Sequence, residues 1–277
     1  APLTGGVPNG NTTTYTYDAI GRETSRATKA GATNRVTHAA VFNRAGFVLS
    51  ATDTVTTGSP AVTTYAYDAA GRLTGYTPPA GPAVTYGWDA VPNRTSVTTG
   101  GSPGTATTYG AAHRPISTGY GSDADGRLTA RPTAGGQTLL WDDLGRLTQV
   151  KNAAGTVTLA TYTYDPLDRL RLVDRGSSDQ VRFRYVGTTT AVAQLLDHDA
   201  GTVSRNIATS PTGERLADWT GAGSDLRLYG TNAHHDVTFT TGTAGTVTAT
   251  ARYDPWGTLE ASSGTLPDFG FQGSFTD

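Results

Sequence analysis

Six aspartates recur in one setting. Asp18, Asp68, Asp89, Asp142, Asp165 and Asp254 each follow an aromatic residue, and Asp18, Asp68 and Asp142 are followed within four positions by both Gly and Arg. Paired carboxylates about 5–10 Å apart are the machinery of glycoside hydrolysis. A catalytic pair is unique, however, and these recur hairpin after hairpin. Asp at a bend also has a sufficient local reason, because its side chain caps the turn. The recurrence therefore reads as construction, and no catalytic residue is assigned. The matching arginines, Arg22, Arg72, Arg127, Arg146 and Arg169, are expected along the sheet with stems on apolar surface and heads paired or wet. The competing reading is a basic track for a ligand.

Other chemistry-bearing clusters are sparse. "DADG" (123–126) and "DHDAG" (197–201) space carboxylates as calcium loops do, but neither continues with the further oxygen ligands and the distal Glu of an EF-hand. His234-His235-Asp236 offers metal-ligating side chains. On a strand adjacent histidines face opposite ways, so at most one of them joins a site. His38, His113 and His198 are scattered, and a zinc site needs three or four converging ligands. No metal and no cofactor is expected. There is no cysteine, which removes disulfides, thiolate metal sites and thiol nucleophiles. The Gly doublets at 100–101 and 135–136 lie in loops, and no phosphate-cradling or nucleophile-elbow motif occurs in the right context.

The elements that carry these residues are strands. "TTYAYD" (63–68) alternates small polar and aromatic residues, the period of a strand with one apolar face. D-x-x-G is a turn in which Gly takes a positive φ, and Arg-Leu-Thr restarts the alternation. At 165–168 Asp168 replaces Gly; Asp tolerates the left-handed region better than most residues. Aligning the aromatic before Asp gives Tyr17, Phe42, Tyr67, Trp88, Trp141, Tyr164 and Tyr253, with a degenerate copy, "SDADGRLTA", at 122–130. The period is about 20–25 residues. Three-turn helical periodicity is absent, and Thr and Gly are frequent throughout. The fold class is all-β, with roughly twenty short strands. A spiralling antiparallel hairpin ribbon hides its edges by covering each hairpin with the next. The aromatics are expected mainly as core; an exposed row would instead resemble a sugar platform.

Composition sets the outer bounds. The chain has 277 residues, 36% of them hydrophobic, with 35 glycines. That is enough for a core, but a thin one spread over many strands. The net charge of −2 gives no electrostatic case for nucleic acid. No apolar run approaches the ~18 residues of a membrane span, so no membrane insertion is expected. Of the 21 basic residues only Lys29 and Lys151 are lysine. The chain starts at Ala1 without Met, which reads as a processed product or a piece of something longer.

Tyr67-Asp68-Ala69-Ala70-Gly71-Arg72-Leu73-Thr74 resembles the Y/W-D-x-x-G-R-L-T motif of YD-repeat, or RHS (rearrangement hot spot), proteins at every typed position. Trp141-Asp142 through Gly145-Arg146-Leu147-Thr148 nearly does so. "SPTGERLADW" (210–219) and "VTATARYDPWGTL" (247–259) resemble the segment leading to the RHS-associated core, and "FGFQGSFTD" (269–277) its opening. The resemblance implies a hairpin array over 1–185, continuous with a core-proximal β region over 186–277, as part of an open barrel-like shell. In bacterial toxins of that family the shell encloses a C-terminal toxin, and insect-toxin subunits and animal teneurins use a similar shell. It further implies a non-enzymatic segment of a secreted or cell-surface protein, lacking the self-cleaving aspartate segment. Its partners are then the rest of the parent protein and a polypeptide cargo. The alternative is an extracellular adhesion or glycan-binding module. The three phenylalanines of 269–277, uncovered, are expected to be exposed or to find another surface, and to drive self-association at a sheet edge.

Overall fold

The computed structural model describes residues 11–276, except 57, 177–178, 198–199, 212, 222 and 224. The Pro- and Gly-containing stretch 1–10 and His198 in the 197–201 loop lie outside the described residues. Among those described the regular structure is β, with three short 3₁₀ turns and no α-helix. Nine strands, Asn11–Tyr17 through Ser102–Pro103, follow one another in chain order in one sheet; fourteen, Gly121–Ser122 through Leu259–Gly264, do so in a second. Among the described residues the strand pairings are antiparallel and between chain neighbours, as in Tyr65↔Tyr76 and Leu139↔Val150. The chain divides into two compact units, one of residues 1–85, 98–102 and 208–277, the other of 86–97 and 103–207.

The hairpin bend follows from the motif. Asp68 N–H donates to the Arg72 carbonyl at 3.0 Å, and Gly71 N–H donates to the Asp68 carbonyl at 3.0 Å. Gly71 has φ 79. This is a type I turn closed by a left-handed residue, the bulged three-residue hairpin loop. The register accordingly slips at the motif aromatic: Tyr67 pairs with Leu73, Trp141 with Leu147 and Tyr164 with Leu170. The bulge adds local twist at each hairpin end. Asp168 takes φ 63 in the glycine slot, as its residue type allows. The second residue after Asp points outward at the tip. Ile20 is 74% and Leu144 75% exposed, and Val91, Leu167 and Trp256 are exposed at the same position.

The core is thin, and its arrangement explains why a low apolar fraction suffices. In the second unit most strands bury a single central side chain: Leu139, Val150, Ala160, Val173 and Phe183 run from strand to strand. Leu139 pairs directly with Val150, and Val150 with Ala160, so the row is built from cross-strand neighbours. The first unit buries Val36, Tyr76, Val237, Phe239 and Ala249. Polar side chains add to its cohesion. Arg26 reaches the Thr231 carbonyl at 2.7 Å, and fully buried Asp218 receives Arg227 and the Tyr229 hydroxyl.

Phe269 departs from the expectation of exposure. Phe269 is 1% exposed, pairs with Phe275 in a β-bridge and lies beneath the Arg215 guanidinium. Val237 N–H donates to the Gly270 carbonyl at 2.9 Å. The segment therefore packs onto its own unit, and a Phe269 substitution removes core rather than an exposed patch.

Gly21 and Gly71 occupy the same turn position with the same sign of φ, yet they differ in surroundings. A Cβ on Gly21 meets nothing within 4 Å, whereas one on Gly71 lies 2.6 Å from the Phe47 ring, which stacks on Tyr67. Gly21→Ala is expected to cost only the left-handed backbone penalty of about 1–2 kcal/mol. Gly71→Ala adds the displaced ring, about 1 kcal/mol more. Urea unfolding of both variants measures the difference; equal losses would remove the role assigned to Phe47.

Candidate functional site

Where Arg or Asn stands at the fourth residue after it, the motif carboxylate is used up within its own turn. Asp68 Oδ1 accepts the N–H groups of Ala70 at 3.0 Å and Arg72 at 2.9 Å, while Oδ2 accepts Arg72 Nε at 2.7 Å. Asp18, Asp142 and Asp165 repeat this with Arg22, Arg146 and Arg169. Asp89 does the same with Asn93 in the arginine slot. Asp123 and Asp125 both bind Arg127, so the 123–126 loop spends its carboxylates on a guanidinium.

The arginines then reach forward to the next hairpin. Arg127 donates to the Asp142 carbonyl at 3.2 Å, Arg146 to Asp168 Oδ1 at 3.0 Å, and Arg169 to the carbonyls of Gly187 and Thr189 at 2.8 Å. The guanidiniums of Arg146 and Arg169 lie 4.9 and 4.5 Å over the rings of Tyr164 and Tyr185. Those aromatics reach back. Trp141 Nε1 donates to the Leu128 carbonyl at 2.8 Å, and the hydroxyls of Tyr164 and Tyr185 donate to the carbonyls of Leu147 and Leu170. The expected paired arginine ladder is present, and its partners are carboxylates, carbonyls and rings of successive hairpins.

The electrostatics argue against acid–base work at these positions. The guanidinium of Arg146 holds Asp142 below the usual carboxylate range, and that of Arg169 does the same for Asp165. The backbone N–H groups of Arg22 and Arg72 lead the same effect at Asp18 and Asp68. A glycosidase needs one carboxyl whose pKa is raised; here the environment pushes the other way.

The histidines are placed differently from the strand reading. His234 and His235 lie in the turn between strands Arg227–Thr231 and Val237–Thr241, not on a strand. Asn232 takes the Asp slot, accepting the N–H groups of His234 at 2.9 Å and Asp236 at 3.0 Å, and His235 takes the glycine slot with φ 65. His234 Nδ1 meets Asp236 Oδ1 at 3.0 Å, and that carboxylate raises the His234 pKa. His38 pairs with Asp53 across strands at 2.8 Å, and His113 with Asn93 at 2.7 Å. The His38–Asp53 contact has no local signal, since it depends on register; the Asn232–Asp236 turn shares the i, i+4 spacing of the motif. Among the described residues no three His, Asp or Glu side chains come together as a metal site. Within the first unit a cavity of about 400 Å³ brings both His–Asp pairs beside Asp254 and Tyr65.

The Teneurin YD-shell family matches residues 8–277. The structure is similar to the Photorhabdus luminescens Tc holotoxin pore, with a TM-score of 0.72 at 16% identity over 97% of this chain and 16% of that one. A TcdB2–TccC3 structure without its hypervariable C-terminal region matches 96% of this chain and 19% of that one at 14% identity, with a TM-score of 0.37. The chain thus spans under a fifth of either chain. No curated protein matches the sequence.

The lowered carboxylate pKa values set an acid limit. The unfolded chain takes up protons near the ordinary value of 3.8, before the folded chain does. Stability from these pairs is full above that pH and is lost as pH falls through the lower folded values. The melting midpoint is expected to be level from pH 7 to about 5 with respect to these groups and to fall below about 4. Asp142→Asn with Asp165→Asn keeps two turn acceptors but is expected to shallow the acid fall. Calorimetry across pH measures this, and an unchanged acid slope in the double variant would refute it.

Proposed function

Because this chain belongs to the Teneurin YD-shell family, we propose that it serves as a stretch of wall that encloses or presents a polypeptide within a larger secreted protein. The observation that carries this reading is the ladder of motif turns. The carboxylates of Asp18, Asp68, Asp142 and Asp165 are spent on their own hairpins, and Arg22, Arg127, Arg146 and Arg169 reach the next, as a wall requires and as a catalytic centre does not. The Tc holotoxin pore supports the reading as the fold neighbour; enclosure of a cargo is our extension from it.

Limited proteolysis of the full gene product tests the enclosure. A resistant fragment is expected to include polypeptide outside residues 1–277 and to lose that protection when Gly71→Val weakens the wall. Survival of the wall residues alone would overturn it. The chain itself is expected to turn over neither polysaccharides nor model peptides. Turnover abolished by replacing a single motif Asp would show instead that one of the repeats is a catalytic centre.

A further inference from the structure

We propose that the cavity in the first unit receives a basic side chain, Arg or Lys, of a polypeptide. The proposal rests on the wall reading only for the source of that polypeptide. Its basis is the one motif aspartate with neither Arg nor Asn at the fourth residue after it. Asp254 caps its turn as the others do, accepting the N–H groups of Trp256 and Thr258 at 2.8 Å. Thr258, however, stands in the arginine slot, and Asp254 Oδ2 has no partner among the described residues. One hairpin earlier the arginine slot holds a second acid, Asp236. Both carboxylates line the cavity with Asp53.

The walls are aromatic: Phe42, Tyr65, Tyr67, Tyr253 and Phe271. Burial pushes the Tyr65 phenol up, so it stays neutral, and its hydroxyl has no partner among the described residues. Thr63 also lines the cavity; it is 5% exposed and its hydroxyl likewise makes no hydrogen bond among the described residues. Of the basic groups present, Arg252 is bonded to Glu260 at 3.2 Å, which also accepts the Tyr76 hydroxyl; His38 and His234 are bonded to Asp53 and Asp236. Carboxylate is left over, and it shares the cavity with rings whose π faces attract cations.

The chain itself shows what such a setting binds. Arg146 bonds Asp142 Oδ2 at 2.7 Å while its guanidinium lies 4.9 Å over Tyr164. An incoming guanidinium at Asp254 makes the same pair of contacts from outside. A neutral sugar stacks on the rings but leaves the Asp254 carboxylate without a charged partner.

The test is calorimetric titration of the full chain with N-acetyl-arginine amide, its lysine counterpart, the neutral isostere N-acetyl-citrulline amide, and N-acetylglucosamine. Saturable binding of the arginine compound in the ~millimolar range is expected, with citrulline about tenfold weaker or more. Asp254→Asn is expected to weaken arginine binding about tenfold while keeping the turn, since Asn43, Asn152 and Asn232 cap turns in this chain. Thr258→Arg restores the motif arginine, fills the site from within, and is expected to abolish binding without unfolding. No binding, equal binding of arginine and citrulline, or binding that survives Thr258→Arg would each overturn the proposal. Preference for the sugar would overturn it in favour of a glycan site. All four outcomes leave the proteolysis result untouched, so the two readings fail separately.

Discussion

A single carboxylate taking three hydrogen bonds is what the repeats are built on. Asp68 closes its turn with two backbone N–H groups on one oxygen and fixes a guanidinium on the other. The first pair sets the bend; the third bond aims the arginine. Hydrogen bonds between charged partners are about twice as strong as neutral ones, and here the anchored group is long enough to leave its own hairpin. From Arg146 onward the chain of contacts reaches the next turn and the next ring, and the ring's hydroxyl returns to the carbonyl after the arginine. Local turn chemistry thereby becomes hairpin-to-hairpin order, and this relieves a core that buries little more than one side chain per strand.

What was legible in the sequence is what acts within about five residues. The Asp cap, the left-handed glycine, its replacement by Asp168 and the alternating strands all depend on near neighbours, and all are found as read. Contacts that depend on register or on distant chain were not legible. His38 meets Asp53 only once two strands are aligned, and Tyr76 meets Glu260 across 184 residues. The strand reading of His234–His235 fails because the pair sits in the turn after Thr231. The i, i+4 spacing of Asn232 and Asp236 was the turn signal. Phe269 was misjudged for a different reason: whether an apolar end is covered depends on partners such as Arg215 and Val237, which no local pattern names.

The departures from the motif carry as much information as the copies. Where Arg is kept, the turn is self-sufficient. Where it becomes Asn93, the amide keeps the side-chain bond and loses the charge. Where it becomes Asp236 or Thr258, acidic groups collect around aromatic walls in one cavity. A repeat protein thus varies its chemistry at one slot without altering the backbone that presents it, since the turn is closed by the Asp or Asn side chain and not by the fourth residue after it.

Pairing only between chain neighbours also has a kinetic meaning. Each hairpin closes a loop of a few residues, and such local contacts form fast because little chain entropy is lost before they are made. A ribbon like Leu139–Val150–Ala160 can grow one strand at a time in the direction of synthesis, with each finished strand serving as template for the next. The same property does not extend to the first unit, where contacts such as Arg26–Thr231 and Tyr76–Glu260 join strands far apart in the chain and form only after both are made. A ribbon of this kind gains its order from many small closures and not from one large one.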